Sequence, residues 1–231
     1  MHTWTLVFDL DGTLVDTAPD LAAATNHVLR RIGLDPVNES DIRPFVGHGA
    51  LAMVKGAAAH RGRLLASGEL YDLFEVFIAH YTANIAAGSA PYDGVREVLA
   101  ELRGSGTRLA VCTNKIEAHA WALLDALELS QHFSAITGRD TFGVHKPDAG
   151  HLTGTIALAQ GDPSRAIMIG DSETDIRTAQ AAGVPVVAVD FGYSQIPVSA
   201  YAPDAIIGHY RELRHAVEQL GYPRAPGAAH Q

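Results

Sequence analysis

The sequence predicts an α/β fold: a Rossmann-like, doubly wound parallel sheet with an all-helical segment inserted near its start. Three observations carry that prediction. Short apolar runs at 6–8, 109–112, 166–169 and 186–189 have the length and composition of strands buried on both faces. From Asp93 onward such runs alternate with helical stretches, the pattern of a parallel sheet covered on both sides. Between the first run and that alternation, the periodicity is helical throughout.

Each element follows from local chemistry. Leu21, Thr25, Val28, Leu29 and Ile32 recur at helical spacing between Pro19 and Gly33, a start and a stop signal. Two shorter helices are expected between 40 and 59, around Val46, Gly47, His48 and Gly49. Leu70, Leu73, Phe74, Phe77, Ile78, Tyr81 and Ile85 form the clearest apolar stripe in the chain. Asp93 is placed to cap a helix carrying Val95, Val98, Leu99 and Leu102, which Gly104 and Gly106 break. Further helices are expected at 116–127, before 166 and up to Gly183, with strands at 134–137 and 205–207 and a last helix at 210–220. The expected division is a discontinuous core of 1–15 and 89–224, a helical unit of 16–88, and a disordered tail of 225–231.

The 231 residues, 47% of them hydrophobic, suffice for a sizeable core, and the formal charge of −9 argues against a broad nucleic-acid or anionic-membrane surface. No stretch approaches the length of a membrane span. One cysteine, Cys112, excludes an internal disulfide framework and reads as a small core residue in a reducing compartment. The expected location is therefore the cytoplasm. No histidine pair has zinc spacing.

Polar residues that could bind a phosphate collect where the strands end. The first run leads into Asp9, Leu10, Asp11, Gly12 and Thr13; the second into Thr113, Asn114 and Lys115; the third into Gly170, Asp171, Ser172, Glu173, Thr174 and Asp175. Lys146 adds a cation from the loop after the short strand. Each piece alone also fits a solvated turn, a surface lysine or a helix N-cap. Their coincidence at the ligand edge of a parallel sheet points to a site. Crowded carboxylates require a cation, and hard oxygen ligands without sulfur favour Mg²⁺. A carboxylate nucleophile, a second carboxyl group to move protons, and a lysine with Mg²⁺ on the phosphoryl oxygens make a phosphoryl-transfer apparatus.

These residues resemble the haloacid dehalogenase superfamily, in its phosphatase branch with an inserted helical cap. The resemblance rests on DLDGTLVDT from Asp9, TNK from Thr113, Lys146, and GDSETD from Gly170, in that order over almost the whole chain. It implies Asp9 as the nucleophile that becomes an aspartyl-phosphate and Asp11 as the acid, then base. The Asp9 and Asp171 carboxylates and the Asp11 carbonyl would bind Mg²⁺, with Asp175 behind them near Lys146. Gly12, Thr113, Asn114 and Lys146 would hold the phosphoryl group beside Asp9. The segment Arg43, Pro44, Phe45, Val46, Gly47, His48, Gly49 resembles the specificity loop of phosphoglycolate phosphatases, as do Gly192 and Tyr193. Arg43, Gly47 and His48 are accordingly candidates for substrate selection, although Arg43 also fits a solvated helix position. After Lys146 the family's Pro-x-Pro is reduced to Pro147, Asp148, Ala149. The implied partner is a small phosphorylated metabolite. A sugar-phosphate phosphatase, a pyrophosphatase, a phosphosugar mutase and a non-catalytic phosphate-binding module are the alternatives.

Overall fold

A computed structural model describes residues 3–47 and 49–223; His48 and the tail expected at 225–231 lie outside the described residues. The chain opens with β1 (Thr5–Phe8), followed by the two-residue strand β2 (Val15–Asp16), then α1 (Ala18–Arg31), α2 (Glu39–Ile42), α3 (Ala50–His60) and α4 (Ser67–Ala83). Alternation begins after β3 (Ala90–Pro91): α5 (Val95–Gly104), β4 (Arg108–Cys112), α6 (Glu117–Ala126), β5 (Ala135–Thr137), α7 (Ala149–Leu158), β6 (Ala166–Gly170) and α8 (Glu173–Ala182). The chain then runs through β7 (Val186–Val189), β8 (Ala205–Ile207) and α9 (Leu213–Gln219).

Six strands form one parallel sheet in the order β5-β4-β1-β6-β7-β8. The chain winds outward on one side of β1 and then outward on the other. A crevice therefore opens where β4, β1 and β6 end side by side, the place where doubly wound sheets bind ligands. Side chains alternate along each strand, and this period of two builds two cores. Leu6, Phe8, Val111 and Ile169 face α5, α6 and α9 through Leu99, Leu123 and Leu213. Val7, Ala110, Cys112 and Met168 face α7 and α8 through Leu152 and Ile176.

The four helices after β2 share a third core, in which Leu21, Val28, Met53, Val54, Leu73 and Phe77 are buried against one another. Gly33, at φ +74, ends α1's turn as expected. On α4 the apolar stripe divides by role: Leu73, Phe77 and Tyr81 are buried, whereas Phe74 and Ile78 are half-buried and face a cavity. Both connections to the sheet pass through an antiparallel ribbon, Val15 opposite Pro91 and Asp16 opposite Ala90. Two-residue strands carry no readable periodicity, and the ribbon was not expected. Beside it, the buried Asp20 of α1 accepts hydrogen bonds from the Gly88 amide at 2.8 Å, the Ser89 amide at 2.9 Å and the Ser89 hydroxyl at 2.6 Å.

Two local expectations are corrected. Asp93 does not cap α5; the cap position is Gly94, at φ 82, and Asp93 pairs with His209 at 3.0 Å. The last helix does not start at Tyr210 in α form, because 210–212 make a 3₁₀ turn before α9.

Asp20→Ala removes the acceptor of all three bonds and strands buried donors. Urea unfolding is expected to show a loss of about 2–4 kcal/mol, with a smaller loss for Asp20→Asn, which keeps one acceptor oxygen.

Candidate active site

The site grows out of the loops that follow β1, β4, β5 and β6. Asp9 extends β1 by one residue, its amide bonding the Ile169 carbonyl at 2.9 Å, so its side chain emerges at the sheet edge. The loop then doubles back: the amides of Leu14 and Val15 both reach the Leu10 carbonyl at 3.0 Å, and Leu10 and Leu14 are fully buried. Gly12 sits at φ +83, where a side chain is strained, and an added Cβ would lie 2.6 Å from Asp171 Oδ2. The loops after β1 and β6 thus touch backbone to carboxylate.

Lys146 ties them together. Its buried Nζ lies 2.8 Å from Asp9 Oδ1 and 2.5 Å from Asp175 Oδ1. The contact with Asp9 is a charge contact off hydrogen-bond geometry, which leaves that buried oxygen without a donor among the described residues. Asp175 is also a helix cap: its Oδ2 accepts from the Ser172 hydroxyl at 2.6 Å and from the Ser172 and Asp171 amides at 3.1 and 3.2 Å. Asp171 accepts from the Thr13 hydroxyl at 3.0 Å and the Tyr193 amide at 2.8 Å. Asp9, Asp171 and Asp175 each offer an oxygen to a group spanning no more than 4.8 Å, all three residues buried.

Three carboxylates against one ammonium leave the cluster short of positive charge. Burial pushes the Asp9 carboxyl up to about 6, against the pull of Lys146. Burial, with Asp175 and Asp9 alongside, pushes Asp171 up to about 8. For Lys146, burial opposes the charge, but Asp175 and Asp9 outweigh it and hold the ammonium protonated well above its ordinary range. A divalent cation is the physical complement of such a cluster.

The remaining sequence candidates divide. Thr113 is buried at the end of β4 and lines the cavity; its hydroxyl accepts the Lys115 amide at 3.2 Å. Asn114 also lines the cavity, but its amide is bonded to the Lys146 carbonyl at 3.0 Å and so holds that backbone in place. Asp11 carries its carboxylate away from the acidic cluster and pairs with Lys115, at 2.9 Å through Oδ1 and 3.1 Å through Oδ2. Gly47 lines the cavity, whereas Arg43 does not. The guanidinium expected over the site is held by Asp16 at 2.9 Å and by Glu39, four residues back, at 2.8 Å.

A cavity of about 690 Å³ joins these groups to the helical unit. Its floor holds Asp9, Asp11, Thr113 and Asp171; Met53, Phe74 and Ile78 form an apolar wall across from them. Three basic side chains line it to which the sequence assigned no role. Lys115 pairs with Asp11 and lies 4.8 Å from the centre of the Tyr81 ring. His119 shares a hydrogen bond with Thr82 of α4 at 2.9 Å. Arg139 follows β5. Only Lys115 left a trace in the sequence, as the last residue of TNK.

A doubly wound sheet whose carboxyl edge gathers buried aspartates around a lysine, beneath a cavity of metabolite size, defines a Rossmann-like α/β protein with a small-molecule site at that edge. The chain belongs to the haloacid dehalogenase-like hydrolase family, whose sequence profile matches residues 6–189. It is 52% identical over 208 residues to a phosphoglycolate phosphatase of Mesorhizobium japonicum, covering 90% of this chain and 92% of that one. A second phosphoglycolate phosphatase, from Agrobacterium fabrum, is 46% identical over 223 residues and 96% of either chain. Among solved structures, a predicted phosphoglycolate phosphatase from Haemophilus somnus superposes with a TM-score of 0.87 at 28% identity, over 94% of this chain and 99% of that one. Fold, site and relatives agree on a phosphatase, a phosphoric monoester hydrolase.

In the metal-free protein, Asp9 and Asp171 hold protons more tightly than the value of 3.8 for a free carboxyl. The stability they contribute is present at low pH and lost as pH rises through about 6 and about 8. Asp171→Asn should therefore gain stability relative to the parent as pH is raised from 4 to 8 in a chelator, followed by thermal unfolding.

Proposed function

We propose that the chain is a Mg²⁺-dependent phosphatase of small phosphorylated metabolites, acting on phosphoglycolate through an aspartyl-phosphate. The observation that carries this reading is Lys146, buried between Asp9 and Asp175 with Asp171 alongside at the carboxyl edge of the sheet. The named relatives supply the substrate; the cluster supplies the chemistry.

The Asp9 and Asp171 carboxylates and the Asp11 carbonyl would hold Mg²⁺, and the three buried carboxylates facing one lysine fit a divalent cation. When bound, it neutralises charge on the phosphoryl oxygens. Asp9 attacks phosphorus, the ester P–O bond breaks, and Asp11 delivers a proton to the leaving oxygen. Water then attacks phosphorus and passes its proton to Asp11 as the Asp9–phosphorus bond breaks, which frees inorganic phosphate and restores both carboxyl groups. Lys146 and the Thr113 hydroxyl steady the phosphoryl oxygens; Asn114 acts through the Lys146 backbone it holds. Lys115 keeps Asp11 in place between turnovers.

Residues 16–88 serve as the cap in this reading. The ribbon of β2 and β3 is its hinge, and the apolar face of Phe74 and Ile78 excludes water from the reaction. The Arg43 charge is already paired with Asp16 and Glu39 and stands outside substrate selection in this reading; Gly47 forms part of the wall. The buried thiol of Cys112 suits a cytoplasmic setting.

The test is released phosphate from a panel of small phosphate esters, with and without Mg²⁺. Mg²⁺-dependent release from phosphoglycolate is expected, and its absence from every ester would falsify the reading. Asp9→Asn should fall below about one-thousandth of parent turnover and take up no phosphoryl group, with the chain still folded.

A further inference from the structure

Resting on that phosphatase reading, we infer that Arg139 is the residue that selects phosphorylated acids, by pairing with a second anionic group of the substrate. The other cations near the cavity are each already engaged. Lys146 is held by Asp9 and Asp175, and Lys115 by both oxygens of Asp11. Arg43 is held by Asp16 and Glu39 and stands outside the lining. The His119 ring is bonded to Thr82, and burial, with Lys115 nearby, lowers its affinity for a proton. Arg139 lines the cavity, is exposed, and forms no ion pair among the described residues.

Its backbone is fixed where recognition needs it fixed. The Arg139 amide donates to the Lys115 carbonyl at 3.0 Å, which joins it to the loop that carries Thr113 and Asn114. Gly138 packs so closely there that an added Cβ would lie 2.2 Å from the Glu117 nitrogen. Asp140 Oδ1 accepts the Glu117 amide at 2.9 Å, and Thr141 Oγ1 accepts the Gly138 amide at 2.9 Å. A guanidinium on so rigid a turn presents its fork to a carboxylate from a fixed backbone position, so pairing orders only the side chain itself. On the far side it meets the helical unit: Nη1 lies 3.8 Å from where a Cβ would stand on Gly49. The cation therefore sits at the seam between sheet and helices.

The experiment compares kcat/KM for phosphoglycolate and for ethyl phosphate, which keeps the phosphate and carries a methyl group in place of the carboxylate, in the full chain with Mg²⁺. The parent should prefer phosphoglycolate, and Arg139→Ala should lower the ratio of phosphoglycolate to ethyl phosphate by about 10–100-fold, mainly through KM for phosphoglycolate. Arg139→Lys should restore part of the ratio, because it returns the charge without the fork. Thermal midpoints check that each variant is folded, as expected for an exposed side chain. A preference for phosphoglycolate that survives Arg139→Ala, or equal losses on both esters, overturns the role of Arg139 while the phosphatase reading stands. A parent that hydrolyses both esters without preference overturns the inference and the substrate assignment together.

Discussion

The Lys146 ammonium, buried between Asp9 and Asp175, is the contact on which the rest of the arrangement depends. Taking three carboxylates out of water is expensive, and a single misplaced partner leaves a charge uncompensated. The lysine offsets the charge of two of them from a loop that belongs to neither of their strands. It requires β1 and β6 to end level with each other, which their register provides, Phe8 opposite Ile169. It also requires the loop after β5 to cross over β4, which the Asn114 bond to the Lys146 carbonyl secures. Replacing the lysine by an apolar residue would leave Asp9 and Asp175 facing each other, so the ammonium is a condition of the fold at this edge as well as of the chemistry.

The same carboxylates are wired to the helical unit. Asp171 accepts the Tyr193 amide, and the Tyr193 hydroxyl accepts the amides of Thr17 at 2.7 Å and Ala18 at 3.0 Å while donating to Asp16 Oδ1 at 2.6 Å. One residue thus spans from the acidic cluster to the first turn of α1. Asp20 holds the returning strand from the same turn. The ribbon between them has only two residues per strand, so any reorientation of the helices must be absorbed in a few backbone torsions beside Asp16 and Gly88.

Sheet and helices were legible because their signals are local. Buried strands read as apolar runs, and α1 and α4 as stripes of period 3.6 bounded by turn residues. The acidic site was legible because strand ends can be aligned on paper once the sheet is assumed parallel. What escaped depends on partners distant in sequence: Lys115 meets Asp11 across 104 positions, and Arg139 acquires meaning only from a cavity. Arg43 is different, since Glu39 lies four residues before it and that spacing alone predicts a helical ion pair. Asp93 failed as a cap because Gly94, at positive φ, could make the entry turn without a side chain.

The charge pattern resolves an apparent conflict between the acidic chain and its substrate. A protein of formal charge −9 repels small anions at long range, so attraction must be generated locally. Buried cations cannot supply it alone, because Lys146 and Lys115 are already neutralised by carboxylates at under 3 Å. In the proposed reaction the phosphoryl group would be drawn in by a divalent cation held at the acidic cluster. The rest of the substrate must then be read by a group still facing water. Arg139 has that exposure, and its placement on a turn locked to the Thr113 loop sets the two ends of an anionic substrate at a fixed separation. Binding at one end would then constrain the geometry at the other, which is how an interaction remote from phosphorus would contribute to alignment for the proposed attack by Asp9.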